Sequence, residues 1–404
     1  MRSDFVELAL QFGYGMKKIT SELSQKWGDT SVILSPRDMS PSQFYNWSNE
    51  FNSQGIHCYF DPQCYCPKSD NKHLPEYDYW DNHFTTLLDN RNPFDSMLSA
   101  IREYNDTANA CNYILPCILN EYGNDWLSVF NKRLGQIVDS ANTILNDKPL
   151  LATAALPKEL LLQKEEELEA LIDIMCNANV SGYYLIAEVP EKKYLVDNPI
   201  WLYNVLKICA ALKIAGKKVI YGYGNHQMLA LSLTGIDAMA SGTWLNVRSF
   251  TNRFVDSKQT MRKSTWVYYP IALSEYKMTF MDWAYSNDLL YTMKATDNLF
   301  YNEYTKTIIE ADVSPSTTGF NESDAFKHYL CCLRQQVESL NKPSYSDTFN
   351  SYQMMLTTAE RELERLERSG MYAQARSFRD VIDVNRAAIS QLDNGYGFSL
   401  KMSW

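Results

Sequence analysis

The chain has 404 residues, 45% of them apolar and 21% charged, enough to bury a large core in one α/β domain with an accessory part. Its net charge of −10 excludes a generally basic coat for nucleic acid but not a local basic groove. No run of 18 uncharged apolar residues offers a membrane span.

Taken in chain order, strands and helices are expected to alternate. The segment Phe5–Trp27 reads as a helical opening, without a signal-peptide layout. Ser31–Ser35 follows as a strand. Pro41 then starts a helix, with Ser40 as its N-cap and Gly55 as its stop. Ile56–Phe60 is the next strand, ending at Asp61-Pro62, and a polar, aromatic loop runs from Gln63 to Asp89. Asn112–Leu119 reads as a strand, Asp125–Leu145 as an amphipathic helix, Leu150–Leu156 as a strand and Gln163–Asn177 as an acidic helix. Gly182–Ala187 and Pro199–Ala215 continue the alternation.

The stretch from Gly216 to Arg248 carries the most information. Val219–Tyr221 is a buried strand, Gly222 and Gly224 open a turn, Met228–Leu233 has a helical apolar face, and Gly235 closes it where φ > 0 costs least. Ile236–Ala240 is the next strand, which makes the unit a right-handed βαβ crossover. Trp266–Ile271 is expected to be the last barrel strand. Seven or eight such units read most simply as a TIM barrel over residues 1–315, and a doubly wound open sheet is the competitor. A boundary near 311–323 leaves a helical region, 316–404.

Barrel chemistry sits at the C-terminal ends of the strands. Here those ends carry Ser35, Arg37, Asp61, Gln63, Asn120, Glu188, Asn225 and His226, a set rich in carboxylates and amides and poor in histidine. Five histidines in the chain leave little imidazole for catalysis. Asp61 is the sharpest candidate, because a carboxylate between an apolar strand and a proline is held stiffly at the mouth; a turn-forming Asp-Pro is its structural alternative. Asp237 has a structural alternative too, bracing the barrel. Two carboxylates among Asp61, Glu188 and Asp237 could support glycosidic cleavage as acid and base. Nine cysteines with irregular spacing fit reduced thiols and a cytoplasmic protein. No motif calls for a cofactor, and Cys64-x-Cys66 alone does not make a metal site. Arg248, Arg253, Lys258, Arg262 and Lys263 gather five cations in 16 positions beside Phe250, Phe254 and Trp266, which suits a nucleic-acid backbone with stacked bases; a solvated loop is the alternative.

The segments GKKVIYGYGNHQMLALSLTGIDAMASG (216–242) and SPSQFYNWSNEFNSQGIHCYFDPQCYCP (40–67) resemble the tRNA-guanine transglycosylase superfamily. So, more weakly, do the helices AFKHYLCCLRQQVESL and SYQMMLTTAERELERL. The resemblance implies a TIM barrel that exchanges or processes a deazaguanine-type nucleobase in tRNA, DNA or a nucleoside. It puts Asp61 in the place of a catalytic carboxylate, and Gly182 and Glu188 on the strand that holds the base. In that family the nucleophilic Asp lies three residues beyond the strand's Gly-Ile/Val-Asp, and here that position is Ala240, which cannot form a glycosyl intermediate. The family's zinc motif is also absent from VSPSTTGFNESD (313–324). The hairpin 353–392 resembles the UVR helical hairpin, implying a protein partner, although Leu363, Leu366, Ala373, Phe378, Ile382 and Ala388 would equally pack it on its own barrel. A transglycosylase-like barrel and a non-catalytic partner subunit of a nucleic-acid-modifying or defence assembly are both consistent with these departures.

Overall fold

The structure, a computed structural model of the chain, describes residues 5–67, 70–81, 83–84, 91–163, 166–190, 193–251, 264–296 and 299–404. Eight strands pair in parallel in the order β3-β2-β1-β8-β7-β6-β5-β4. They are β1 Glu7–Gln11, β2 Ser31–Leu34, β3 His57–Phe60, β4 Tyr113–Ile114, β5 Leu150–Leu156, β6 Gly182–Ala187, β7 Lys218–Tyr221 and β8 Ala238–Ser241. The first and last strands of the series are paired, Leu8 with Met239 and Leu10 with Ser241. An open doubly wound sheet has no such pairing, so the barrel is the architecture. β3 and β4 lie side by side without a backbone ladder, and closure there is nearly complete.

The opening expected to be a helix begins instead as β1, and only Met16–Trp27 is helical. Val6, Leu8, Ala9, Leu10 and Phe12 are all buried. A strand covered on both faces gives a continuous apolar run, which periodicity cannot separate from a helix. That shift moves the count by one, and Trp266–Tyr269 is not a barrel strand. It forms β9 of an antiparallel hairpin with β10, Ser274–Lys277, outside the barrel. The expected helix after β7 is a 3-10 run, His226–Thr234, with Gly235 ending it at φ 65°. The strand expected over Asn112–Leu119 pairs only at Tyr113 and Ile114.

Other local signals are realised as expected. Ser40 caps the helix Pro41–Ser53 in a capping box with Gln43. The loop after β3 is less polar than its composition suggests. Tyr77 and Tyr79 turn inward and pack with Phe60 and Tyr104, ring centroids 5.2–5.6 Å apart.

The C-terminal helices Glu322–Leu340, Tyr345–Arg368 and Ile382–Ser403 lie against the barrel. The last of them covers the barrel helix Pro199–Ile214, which explains why that helix is apolar nearly all round. All six residues of the anticipated hairpin seam are buried. Among the described residues no helix is long and apolar enough to cross a membrane.

Candidate functional site at the barrel mouth

Strand alternation puts Ala9 and Gln11 of β1, Ile33 of β2, Tyr59 of β3, and Tyr184 and Ile186 of β6 on the inner face, and it continues to Ser35, Asp61 and Glu188 just beyond β2, β3 and β6. The lower layers are closed with Ile33, Ile114, Leu151 and Ile220. The upper layer is polar, so the chemistry collects where the strands end.

Asp61 stands at the centre of that layer and is fully buried. The Tyr65 hydroxyl donates to its two carboxylate oxygens at 2.7 and 2.6 Å, and the Gln63 backbone N–H donates to Oδ1 at 3.0 Å. The latter bond makes Asp61 a turn former as well, with Gln63 in the left-handed region at φ 54°. Burial pushes the carboxyl up to about 7, although hydrogen bonds from Tyr65, Gln63 and Tyr184 pull the other way. Burial likewise holds the Tyr65, Tyr184 and Tyr223 phenols well above the usual range, so they remain donors.

Gln63 joins three loops. Its Oε1 accepts from Ser35 Oγ at 3.0 Å and from the Arg37 N–H at 2.9 Å, and its Nε2 donates to Tyr223 OH at 3.1 Å. Tyr184 donates to Gln11 Oε1 at 3.0 Å, leaving Gln11 Nε2 buried with no hydrogen-bond partner. Phe250 closes the top, its ring centroid 5.4 Å from both Tyr65 and Tyr223. Glu188 ends β6 and receives the Lys158 backbone N–H at 3.2 Å and the Lys158 ammonium at 3.3 Å. Val189 N–H donates to the Phe250 carbonyl at 3.0 Å, which ties the lidding ring to the same strand.

Of the residues singled out from sequence, the mouth brings together Asp61, Gln63, Glu188 and the backbone of Arg37. Asn120 lies beyond β4 and accepts from Arg133. Asn225 caps the 3-10 run, its Oδ1 taking the Gln227 N–H and its Nδ2 donating to the Tyr194 carbonyl, so its polar atoms serve its own loop. Asp237 is corrected outright as a partner of Asp61: it precedes β8, at the opposite end of the barrel, where it binds Lys213 Nζ at 2.6 Å and the Val219 N–H at 2.7 Å. Gly182 also lies at that end, and a Cβ there would stand 2.1 Å from the Lys218 carbonyl oxygen. Close strand contact, not base binding, accounts for this glycine.

His226 and Arg248 form a wall between barrel and C-terminal helices. His226 is enclosed by Tyr194, Tyr268, Tyr329 and Phe378 at 5.0–6.1 Å, and burial lowers its imidazole to about 4. Arg248, expected on a nucleic-acid surface, is 2% exposed, lies 3.4 Å above the Tyr329 ring and pairs with Glu275 at 3.4 Å. Arg376 reaches the same carboxylate at 2.7 Å. Arg253, Lys258, Arg262 and Lys263 lie outside the described residues.

Sequence reasoning missed Gln11, Tyr65, Tyr184 and Tyr223, whereas Ser35 is where a strand end at the mouth was expected. Gln11 was hidden by taking β1 for a helix. Tyr184 was recoverable, since it stands two residues after Gly182 on a strand and therefore on the same face. A Cys332–His328–Asn302 grouping was also missed. It is structural: His328 Nε2 is 2.7 Å from the Tyr268 carbonyl, Nδ1 is 2.8 Å from Asn302 Nδ2, and His328 and Cys332 are fully buried. All nine cysteines are thiols, and burial pushes Cys58 up to about 12. Among the described residues no group of three or more His, Cys, Asp or Glu side chains could hold a metal ion.

No family model and no curated protein matches this chain. Among solved structures it is similar to the endo-beta-1,4-mannanase from Thermotoga petrophila, with a TM-score of 0.37 and 10% identity over 66% of this chain and 80% of that one. A likeness of that size bears on neither reaction nor substrate. The barrel rests on its own strand order.

Proposed function

We propose that this chain is a glycosidic-bond-processing barrel whose mouth holds a nucleobase or its glycoside, free or within nucleic acid. The observation that carries this function is the fully buried Asp61 carboxyl at the strand C-termini, held by Tyr65 and the Gln63 N–H among aromatic and amide side chains and pushed up to about 7 by burial. A carboxyl of this kind suits a general acid. It hands its proton to the leaving ring nitrogen while the bond from that nitrogen to the sugar breaks. Water adds to the anomeric carbon and releases a proton to solvent. Glu188 is the second carboxylate at the mouth, and it can face the sugar as it becomes cationic once Lys158, 29% exposed and 3.3 Å away, turns to solvent. Ala240 faces the interior near the end of β8 and has no side chain able to form a covalent intermediate there. Entry of a base requires the Phe250 ring to swing off Tyr65 and Tyr223.

The test is release of free base from nucleosides, tRNA and DNA, followed by mass spectrometry, with binding of free bases measured by calorimetry. Asp61→Asn keeps the shape and removes the proton. Base release should fall by about 10²–10⁴-fold with base binding retained.

The filled mouth favours a second function, a non-catalytic partner subunit. Asp61, Tyr65, Tyr184 and Gln63 are all buried and bonded to their neighbours. Wild-type protein that neither binds a base nor releases one, with Asp61→Asn changing stability alone, would establish that alternative.

A further inference from the structure

A cavity opens at the other end of the barrel, with a volume of about 990 Å³, between the strand beginnings and the helix Glu322–Leu340. Its wall mixes apolar side chains, Phe5, Val6 and Leu8, with charged ones. Most of the charges are matched in place: Lys213 with Asp237 at 2.6 Å, and Arg334 with Glu338 at 2.8 Å.

Asp29, largely exposed at the rim, lies 3.3 Å from His57 Nε2, and two charges remain, Lys218 and Glu7. The Lys218 ammonium is held by neutral groups, the Asn112 side-chain oxygen at 2.8 Å and the Tyr59 hydroxyl at 3.2 Å, and it lies 5.5 Å from the Tyr59 ring centre. The Glu7 carboxylate has one oxygen, Oε1, buried without a hydrogen-bond partner. Neither meets a counter-ion among the described residues. Both adjoin Tyr59, whose phenol is pushed up first by burial and then by the negative charge of Glu7. An unmatched cation and an unmatched anion on the wall of one cavity are two points that a ligand carrying both charges can meet.

We propose that this cavity binds a small zwitterion of the α-amino-acid class, its carboxylate on Lys218 and its ammonium on Glu7. Such a ligand neutralises both groups and adds no net charge. A simple amine or a simple carboxylate would satisfy one group and leave the other. The cavity leaves room for a side chain, and the Tyr59 ring gives it a surface to pack on. The site is independent of the mouth, because the two lie at opposite ends of the strands.

Thermal unfolding and calorimetry of the full chain with individual free amino acids at millimolar concentration test this. At least one amino acid should raise the melting temperature and titrate, whereas propylamine and propionate should bind far more weakly. Glu7→Gln and Lys218→Met should each weaken binding at least about tenfold. Asp61→Asn should bind as wild type does, which separates failure here from failure of the mouth's proposed chemistry. Absence of binding by every amino acid, or affinity unchanged in Glu7→Gln, overturns the proposal. Glu7→Gln decides the matter if Lys218→Met does not fold, since Glu7 is partly exposed at the cavity edge.

Discussion

Gly222 lies directly beneath the phenol of Tyr184: a Cβ on Gly222 would stand 2.4 Å from the Tyr184 hydroxyl and 2.7 Å from two ring carbons. The glycine read from sequence as a turn opener is therefore also the seat of a ring that reaches from β6 to Gln11. Gly222→Ala should displace that ring and break the Tyr184–Gln11 bond. A loss of about 1–3 kcal/mol is expected, the usual cost of overpacking, measured by urea unfolding. Unchanged stability would mean that the ring has another place to go.

Asp61 makes stability depend on pH with a definite sign. Burial raises its folded value to about 7 from the ordinary carboxyl value of 3.8, so the folded state holds the proton more tightly than the unfolded chain. Its contribution is fully present below about 4 and is lost as pH rises through about 7, on the order of 4 kcal/mol in all. Asp61→Asn should abolish this dependence and leave the variant more stable than wild type above neutrality. Equal slopes in the two proteins between pH 4 and 7 would sink the argument.

His226 and His328 act in the opposite sense. Burial lowers each to about 4 from 6.5, so the folded state prefers the neutral ring. Their contribution is present above about 6.5 and is lost as pH falls through about 4. His328 accepts a hydrogen bond from Asn302 and is close to the Tyr268 carbonyl, so replacing it also removes polar partners. His226→Phe is the cleaner test, since the aromatic box around it suits a phenyl ring. Acid unfolding of that variant, followed by circular dichroism, should begin at lower pH than in wild type.

Glu275 ties the hairpin β9–β10 to the barrel and to the C-terminal region. Burial pushes its carboxyl up, but Arg248 and Arg376 outweigh burial and hold it below the usual range. Glu275→Gln leaves two guanidiniums facing one another in a buried site, at a cost of about 3–5 kcal/mol. Arg376→Met should cost much less, because Arg248 keeps its partner. Limited proteolysis should cut the C-terminal helices faster in the first variant than in the second.

Asp237 is expected to matter for stability alone at its end of the barrel. Asp237→Ala removes both the Lys213 ion pair and the Val219 hydrogen bond from a mostly buried position, about 1–3 kcal/mol. Melting of the variant beside wild type checks this, and base release at the mouth should survive in the fraction that is folded.

Local chemistry determined a good part of this protein. Ser40 with Gln43 caps its helix, Gly235 ends its 3-10 run in the left-handed region, and Asp61 after an apolar strand lands at the mouth, because each depends on neighbours within a few positions. Strand-helix alternation pointed to the barrel for the same reason. Only tertiary structure decided what lies across the fold. It made β1 a strand by covering both its faces, gave Trp266–Tyr269 to an outer hairpin, and turned Arg248 inward onto Glu275 and Tyr329. It also parted Asp237 from Asp61, since the end of the strand at which a residue falls depends on register. Those outcomes are set by partners far along the chain, and burial by distant segments leaves no periodic mark in the sequence it covers.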